Sequence, residues 1–160
     1  MKIKDVIISW DFIAAIIISI LFYVAAPTKI PNEFAVKLYD IGISVLSIVL
    51  SVFFAALAII ISSSDDDFVR FLDEEGDYTA IIDTFKFSLM VLFIALIYSI
   101  VLSAVTSYIL SMGNKDQHTF FLALFVLLFL YGLFATLNST YDAIKYAQYR
   151  TKYLQIKKNN

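Results

Sequence analysis

Residues 41–62 read Ile41-Gly42-Ile43-Ser44-Val45-Leu46-Ser47-Ile48-Val49-Leu50-Ser51-Val52-Phe53-Phe54-Ala55-Ala56-Leu57-Ala58-Ile59-Ile60-Ile61-Ser62, with no charge among them. The run exceeds the roughly 20 residues an α-helix needs to cross the hydrocarbon core of a bilayer. In lipid every backbone N–H and C=O must be satisfied within its own segment, so the run predicts a transmembrane helix. Small or polar residues recur along it and just before it, at Asp40, Ser44, Ser47, Ser51, Ala55, Ala58 and Ser62. At 100° per residue these positions share an arc of about 80°. The opposite face is Ile, Val, Leu and Phe.

Three more apolar runs flank this one, at about residues 6–27, 87–110 and 119–142. The expected fold is an all-α membrane protein. Four transmembrane helices form an antiparallel bundle with short loops and a C-terminal helical extension, all within a single domain over residues 1–160. Hydrophobic residues make up 61% of the chain, against about 45–50% in a soluble domain. The longest polar segment, Ser62 to Lys86, is shorter than the roughly 50 residues a small independent domain needs. That leaves no room for a conventional soluble active site. The first run starts after Lys2 and Lys4, as a signal peptide would, but Asp11 interrupts it and Pro27 follows Val24-Ala25-Ala26. It is expected to stay as an uncleaved first span.

An even number of spans puts both termini on one side. Lys2, Lys4, Arg70, Lys86, Lys145, Arg150, Lys152, Lys157 and Lys158 then share that side, against Lys29, Lys37 and Lys115 on the other. The positive-inside rule assigns the richer side to the cytoplasm of a bacterial inner membrane. The acidic loop 63–86 and the basic tail 143–160 are therefore expected inside. Trp10, Tyr23, Tyr39, Tyr108 and Tyr141 fall near span ends, where amphipathic rings favour the headgroup layer. Pro27 and Pro31 stop the first helix, residues 28–40 form a short outer loop, and Asn32-Glu33 is a candidate start for the next helix. The turn from Ser111 to His118 sets the last two spans side by side and antiparallel. Past residue 142, Asp142, Lys145, Gln148, Arg150 and Lys152 interleave with Tyr141, Ile144, Tyr149 and Tyr153, which continues the last helix beyond the bilayer.

The stripe Ser44, Ser47, Ser51, Ala55, Ala58 and Ser62 has two readings. Small residues let helices approach closely in lipid, so it is a packing face. Alternatively its hydroxyls line a water-filled path between copies of the chain, because four short helices enclose too little space for a pore. The third run carries Ser88, Ala95, Ser99, Ser103 and Thr106, and the fourth Gly132, Thr136, Ser139 and Ala143. Asp11 is an acid inside an apolar run, a functional candidate by default. It lies about 10 Å past Lys4 at 1.5 Å per residue, which also allows an interfacial or packing role.

The stretch from Ser64 to Tyr78 holds Asp65, Asp66, Asp67, Asp73, Glu74, Glu75 and Asp77 against the single Arg70. Ser64 can cap a helix, the aspartates after it suit the positive end of its dipole, and Gly76 can stop it. Phe68, Val69, Phe71 and Leu72 would face the membrane. The same carboxylates could attract cations or dock a basic cytosolic protein. An EF-hand glycine would fall on Arg70, so the calcium pattern fails. His118 is the one histidine and reads as a solvated loop residue. With no cysteine, phosphate loop, nucleophile elbow or zinc spacing, the expectation is no enzyme, no cofactor and no metal. The basic tail reads as contact with anionic lipid rather than nucleic acid.

In its size, four spans, cytoplasmic middle loop, and the segment Ser51–Ser62 running into a charged loop, the layout resembles the small four-span membrane proteins of bacterial anti-phage defence, of RexB type and KwaA type. The resemblance implies an oligomeric membrane channel or sensor that perturbs the membrane during infection. Two functions are therefore expected. One is a homo-oligomeric inner-membrane channel or membrane-perturbing effector. The other is a non-conducting sensor or scaffold subunit that signals to a cytosolic partner through the acidic loop and the C-terminal helix.

Overall fold

The computed structural model describes residues 10–62, 66–73 and 77–159. Among these residues there are five helices and two short strands. Helix α1 spans Trp10–Ala25, strand β1 Lys29–Pro31, helix α2 Asn32–Ser62 and helix α3 Asp66–Asp73. Helix α4 spans Asp77–Ser111, strand β2 Asp116–His118 and helix α5 Thr119–Asn159. Helices α2, α4 and α5 are each long and apolar enough to cross a membrane. Helix α1 is apolar but shorter, with 16 residues described; residues 6–9 of the expected first span lie outside the described residues.

Helices α4 and α5 run side by side at the centre. Helix α2 packs mainly on α4, and α1 mainly on α5. The antiparallel relation of the last two spans thus holds, but α1 and α2 sit on opposite flanks of the α4–α5 pair rather than closing a ring. With 35 residues, α4 is about 52 Å long, and α5 with 41 about 61 Å, at 1.5 Å per residue. Both exceed the roughly 40–45 Å of a bilayer with its headgroups. The last helix therefore continues unbroken past the expected end at residue 142.

The span bounds differ from hydropathy in one consistent way. Helix α2 begins at Asn32, the start that Asn32-Glu33 predicted, ahead of its apolar run at 41, and α4 begins at Asp77 ahead of the run at 87. Polar residues such as Glu33, Lys37, Asp83 and Lys86 lower the hydropathy there without breaking the helix. Helical periodicity survives them: Ile81, Phe85 and Leu89 recur every four residues and are all buried. Much of the segment expected as loop 63–86 is accordingly helical.

At one end of the molecule β1 and β2 pair antiparallel, with Lys29 opposite His118 and Pro31 opposite Asp116. The pairing ties the two connections of that end together. The Asn32 amide donates to the Lys115 carbonyl at 2.7 Å, and the Asn32 Nδ2 to the Asn114 carbonyl at 2.8 Å. The Thr119 hydroxyl donates to the Pro27 carbonyl. Gly113 takes φ 87° just after α4, so the amides of Gly113 and Asn114 turn back to the carbonyls of Leu110 and Ile109. Behind the ladder Ile30, Ala35, Tyr39, Leu122 and Phe125 form one core cluster.

Tyr39 corrects the expectation of a headgroup-level ring. It is fully buried, edge-on to Phe125 at 5.0 Å between centroids. Its hydroxyl accepts from Gln117 Nε2 at 3.0 Å, and Gln117 Oε1 accepts from Thr106 at 3.2 Å. The polar tip has protein partners, so it does not need the headgroups. Trp10, Tyr23, Tyr108 and Tyr141 are exposed.

At the opposite end Ile60, Phe68, Leu72, Ile81, Phe85 and Tyr146 share a second core cluster. Here α3 lies against the extension of α5. Phe68 meets Tyr146 and Tyr153 at 5.5 and 5.4 Å between centroids. Phe68 and Leu72 of α3 are thus covered by protein, where the sequence pointed them at the membrane.

Candidate functional site

The polar stripe of α2 points away from the body of the chain. Its buried side runs through Tyr39, Gly42, Leu46, Phe53 and Ile60. Ser44, Ser51, Ala55, Ala58 and Ser62 are exposed, and Ser47 is half-buried. The two sets lie nearly opposite on the helical wheel. The close approach of α2 to its neighbours is on the buried side instead. A Cβ on Gly42 would sit 2.5 Å from the Phe125 ring.

Several hydroxyls of the stripe are already engaged within the helix. Ser44 donates to the Asp40 carbonyl at 2.9 Å, Ser51 to the Ser47 carbonyl at 2.8 Å and Ser62 to the Ile59 carbonyl at 3.3 Å. Such back-bonding leaves the hydroxyl oxygen free as an acceptor only. At the head of the stripe Asp40 is exposed, and its Oδ1 accepts from Ser103 of α4 at 2.8 Å. Asp40 stands eight residues into α2, about 12 Å along the axis. The hydropathy pattern sets Asp40 at the end of the outer loop 28–40, whereas the helix that starts at Asn32 already contains it.

The stripes of α4 and α5 do the reverse. Ser88, Ala95, Ser99 and Thr106 of α4 are buried, as are Thr136 and Ser139 of α5. Ser88 and Ser139 hydrogen-bond to each other at 2.6 Å, and Ser88 also reaches the Ala135 carbonyl at 3.0 Å. A Cβ on Gly132 would come within 3.3 Å of Leu92. These are small-residue contacts between paired helices; Ser88 and Ser139 bond across the interface, while Ser99 and Thr136 bond carbonyls of their own helices.

Asp11 is half-buried at the start of α1, and Asn138 of α5 donates to its Oδ2. In the sequence Asn138 draws notice only as the first residue of an Asn-Ser-Thr triplet. Its role as the partner of Asp11 could be found only from the packing of α1 on α5. Phe12 and Tyr131 stack edge-on beside the pair at 5.1 Å between centroids.

Of the acidic segment, Asp65, Glu74 and Glu75 lie outside the described residues, as do the cap Ser64 and the stop Gly76. Asp66 and Asp73 are the end residues of α3, and Asp77 is the first of α4. Asp67 is exposed and pairs with Lys157 of α5 at 3.8 Å. The pair is water-accessible, so its contribution is under about 1 kcal/mol. The structure places α3 against the basic tail, where Asp67 holds this local ion pair. His118 is exposed at the edge of the ladder.

No family model matches the chain, and neither does any curated protein or any solved structure.

Proposed function

We propose that the chain is a four-span subunit of a homo-oligomeric channel or membrane-perturbing effector in a bacterial inner membrane. Copies meet around the outward face of α2, so that Asp40, Ser44, Ser47 and Ser51 border a water-filled path, with both termini in the cytoplasm. The observation that carries this is the exposed carboxylate of Asp40, bonded only to a neutral serine among the described residues. An ionisable side chain at the edge of a span is rarely left against lipid tails; such residues face a partner or a water-filled cavity. Hydroxyls below it offer weak ion coordination without a fixed charge. The resemblance in layout to anti-phage membrane proteins adds the setting: a membrane perturbed during infection.

Single-channel recording in planar bilayers tests the proposal. The purified protein should conduct, and Asp40→Asn should lower its preference for cations while the oligomer persists on a sizing column. Absence of conductance, with a monomer in both detergent and nanodiscs, would overturn it.

A second reading draws on a separate observation. The α3 helix and the part of α5 beyond its apolar run 119–142 form an aromatic contact, Phe68 with Tyr146 and Tyr153. A non-conducting sensor or scaffold subunit would present this unit and its acidic flank to a cytosolic protein. In that case Phe68→Ala would abolish partner recruitment and leave membrane insertion unchanged, whereas Asp40→Asn would change neither recruitment nor insertion.

A further inference from the structure

A groove of about 510 Å³ opens between the end of α2 and the extension of α5. Ile59 and Ile60 form one wall, and Ala143, Ala147, Arg150 and Leu154 lie along the other. The α5 residues recur at spacings of three and four, so they share one helical face. The two alanines make that face a trough. Below it, Tyr146 closes the floor by donating its hydroxyl to the Ile60 carbonyl at 3.1 Å.

The depth of the groove matters. Ile60 lies 19 residues beyond Ile41, where the uncharged run of α2 begins, which is about 28 Å along the axis. The hydrocarbon core of a bilayer is about 30 Å thick. The apolar part of the groove therefore reaches the headgroup boundary of the leaflet on the α3 side. Arg150 comes one turn later on α5, at the level of the phosphates. It is exposed and joins no ion pair with another described residue. No carboxylate among the described residues lines the groove. The neighbouring Thr151 donates its hydroxyl to the Ala147 carbonyl at 3.0 Å, so Arg150 alone supplies the charge.

We infer that this groove holds an anionic phospholipid of that leaflet. The phosphate of the headgroup meets the Arg150 guanidinium, whose planar fork suits two phosphate oxygens. One acyl chain lies along Ala147, Ala143 and Ile59. An apolar slot beneath a single unpaired cation, set at headgroup depth, is complementary in both shape and charge to such a lipid. The inference rests on the reading that α2 and α5 cross a bilayer, and not on conduction.

Native mass spectrometry of the full chain, released from nanodiscs of equal phosphatidylglycerol and phosphatidylcholine, tests it. The wild-type protein should retain phosphatidylglycerol over phosphatidylcholine by about fivefold, the preference one cation near an anionic headgroup gives. Arg150→Gln should remove the preference and Arg150→Lys should keep most of it. Ala147→Leu should reduce retention of both lipids by filling the trough, and Lys152→Gln, outside the groove, should change nothing. Equal retention of the two lipids by the wild-type protein would overturn the inference. So would a preference equally sensitive to Lys152→Gln, which marks only a diffuse basic surface. Cross-linking of an Ala147→Cys variant between copies, with no lipid retained, would assign the groove to a second protomer instead. None of these readouts needs current, so a non-conducting protein could still pass.

Discussion

Two sets of small polar residues, alike in composition, end in opposite places. On α4 and α5, Ser88, Ser99, Thr136 and Ser139 are buried, and Ser88 bonds Ser139 across the helix pair. On α2, Ser44 and Ser51 face outward and bond their own backbone. The first set is a finished contact within one chain. The second meets no counterpart among the described residues, although its spacing is the more regular of the two. In lipid, helices gain little from hiding apolar surface, so small residues mark where a neighbour comes close. A regular stripe left uncovered, headed by the exposed Asp40, therefore points to something outside the protomer.

The contrast is broken most strongly by the same substitution on either side. Ser88→Leu forces a large side chain into the α4–α5 contact and strands the Ser139 hydroxyl, a loss of about 3 kcal/mol. It should yield little monodisperse protein, as read by thermal unfolding in detergent. Ser51→Leu should leave protomer unfolding unchanged and show its effect only on oligomer size or conductance. A matched loss at Ser51 would mean that the α2 stripe is covered within the chain.

Gly42 tests the buried side of α2. Gly42→Ala puts a methyl group where the Phe125 ring now sits, a cost of about 1–2 kcal/mol if the ring shifts against Tyr39. An unchanged melting temperature would show that the two helices are not this close. Smaller still, Ser88→Ala removes one interhelical hydrogen bond, worth about 0.6 kcal/mol in membrane proteins. Weakest of all is Asp67→Asn, which breaks the exposed pair with Lys157 and should shift stability by well under about 1 kcal/mol. A larger loss there would mean that α3 is held by charge rather than by Phe68 and Leu72.

Hydropathy alone made the long helices legible, because residues that avoid water for some 20 positions have few other folds. The continuation of α5 was legible too, from the charges and tyrosines interleaved past Tyr141. The face that α3 buries was readable, but not what covers it, since Phe68 and Leu72 suit lipid and protein equally. Strands β1 and β2 were hidden because three residues carry no periodicity and their partners are far apart in sequence. The same distance hid Asn138 as the partner of Asp11, and Gln117 as the partner of Tyr39. Spacing showed that the α2 stripe lies on one face. The direction of that face depends on which neighbour wins the opposite side, and Gly42 against Phe125 decides that only in three dimensions.

The central claim is that water, between copies of the chain, covers the outward face of α2. Single cysteines at Ser44, Ser47 and Ser51, with Ser88 as the buried control, test it directly because the native chain has no cysteine. In reconstituted membranes, modification by a membrane-impermeant thiol reagent should be fast at Ser44 and Ser47, slower at Ser51 and negligible at Ser88. Inert cysteines at all three stripe positions, in protein whose Ser88 variant folds normally, would contradict the claim and leave the face against lipid or a dry helix contact.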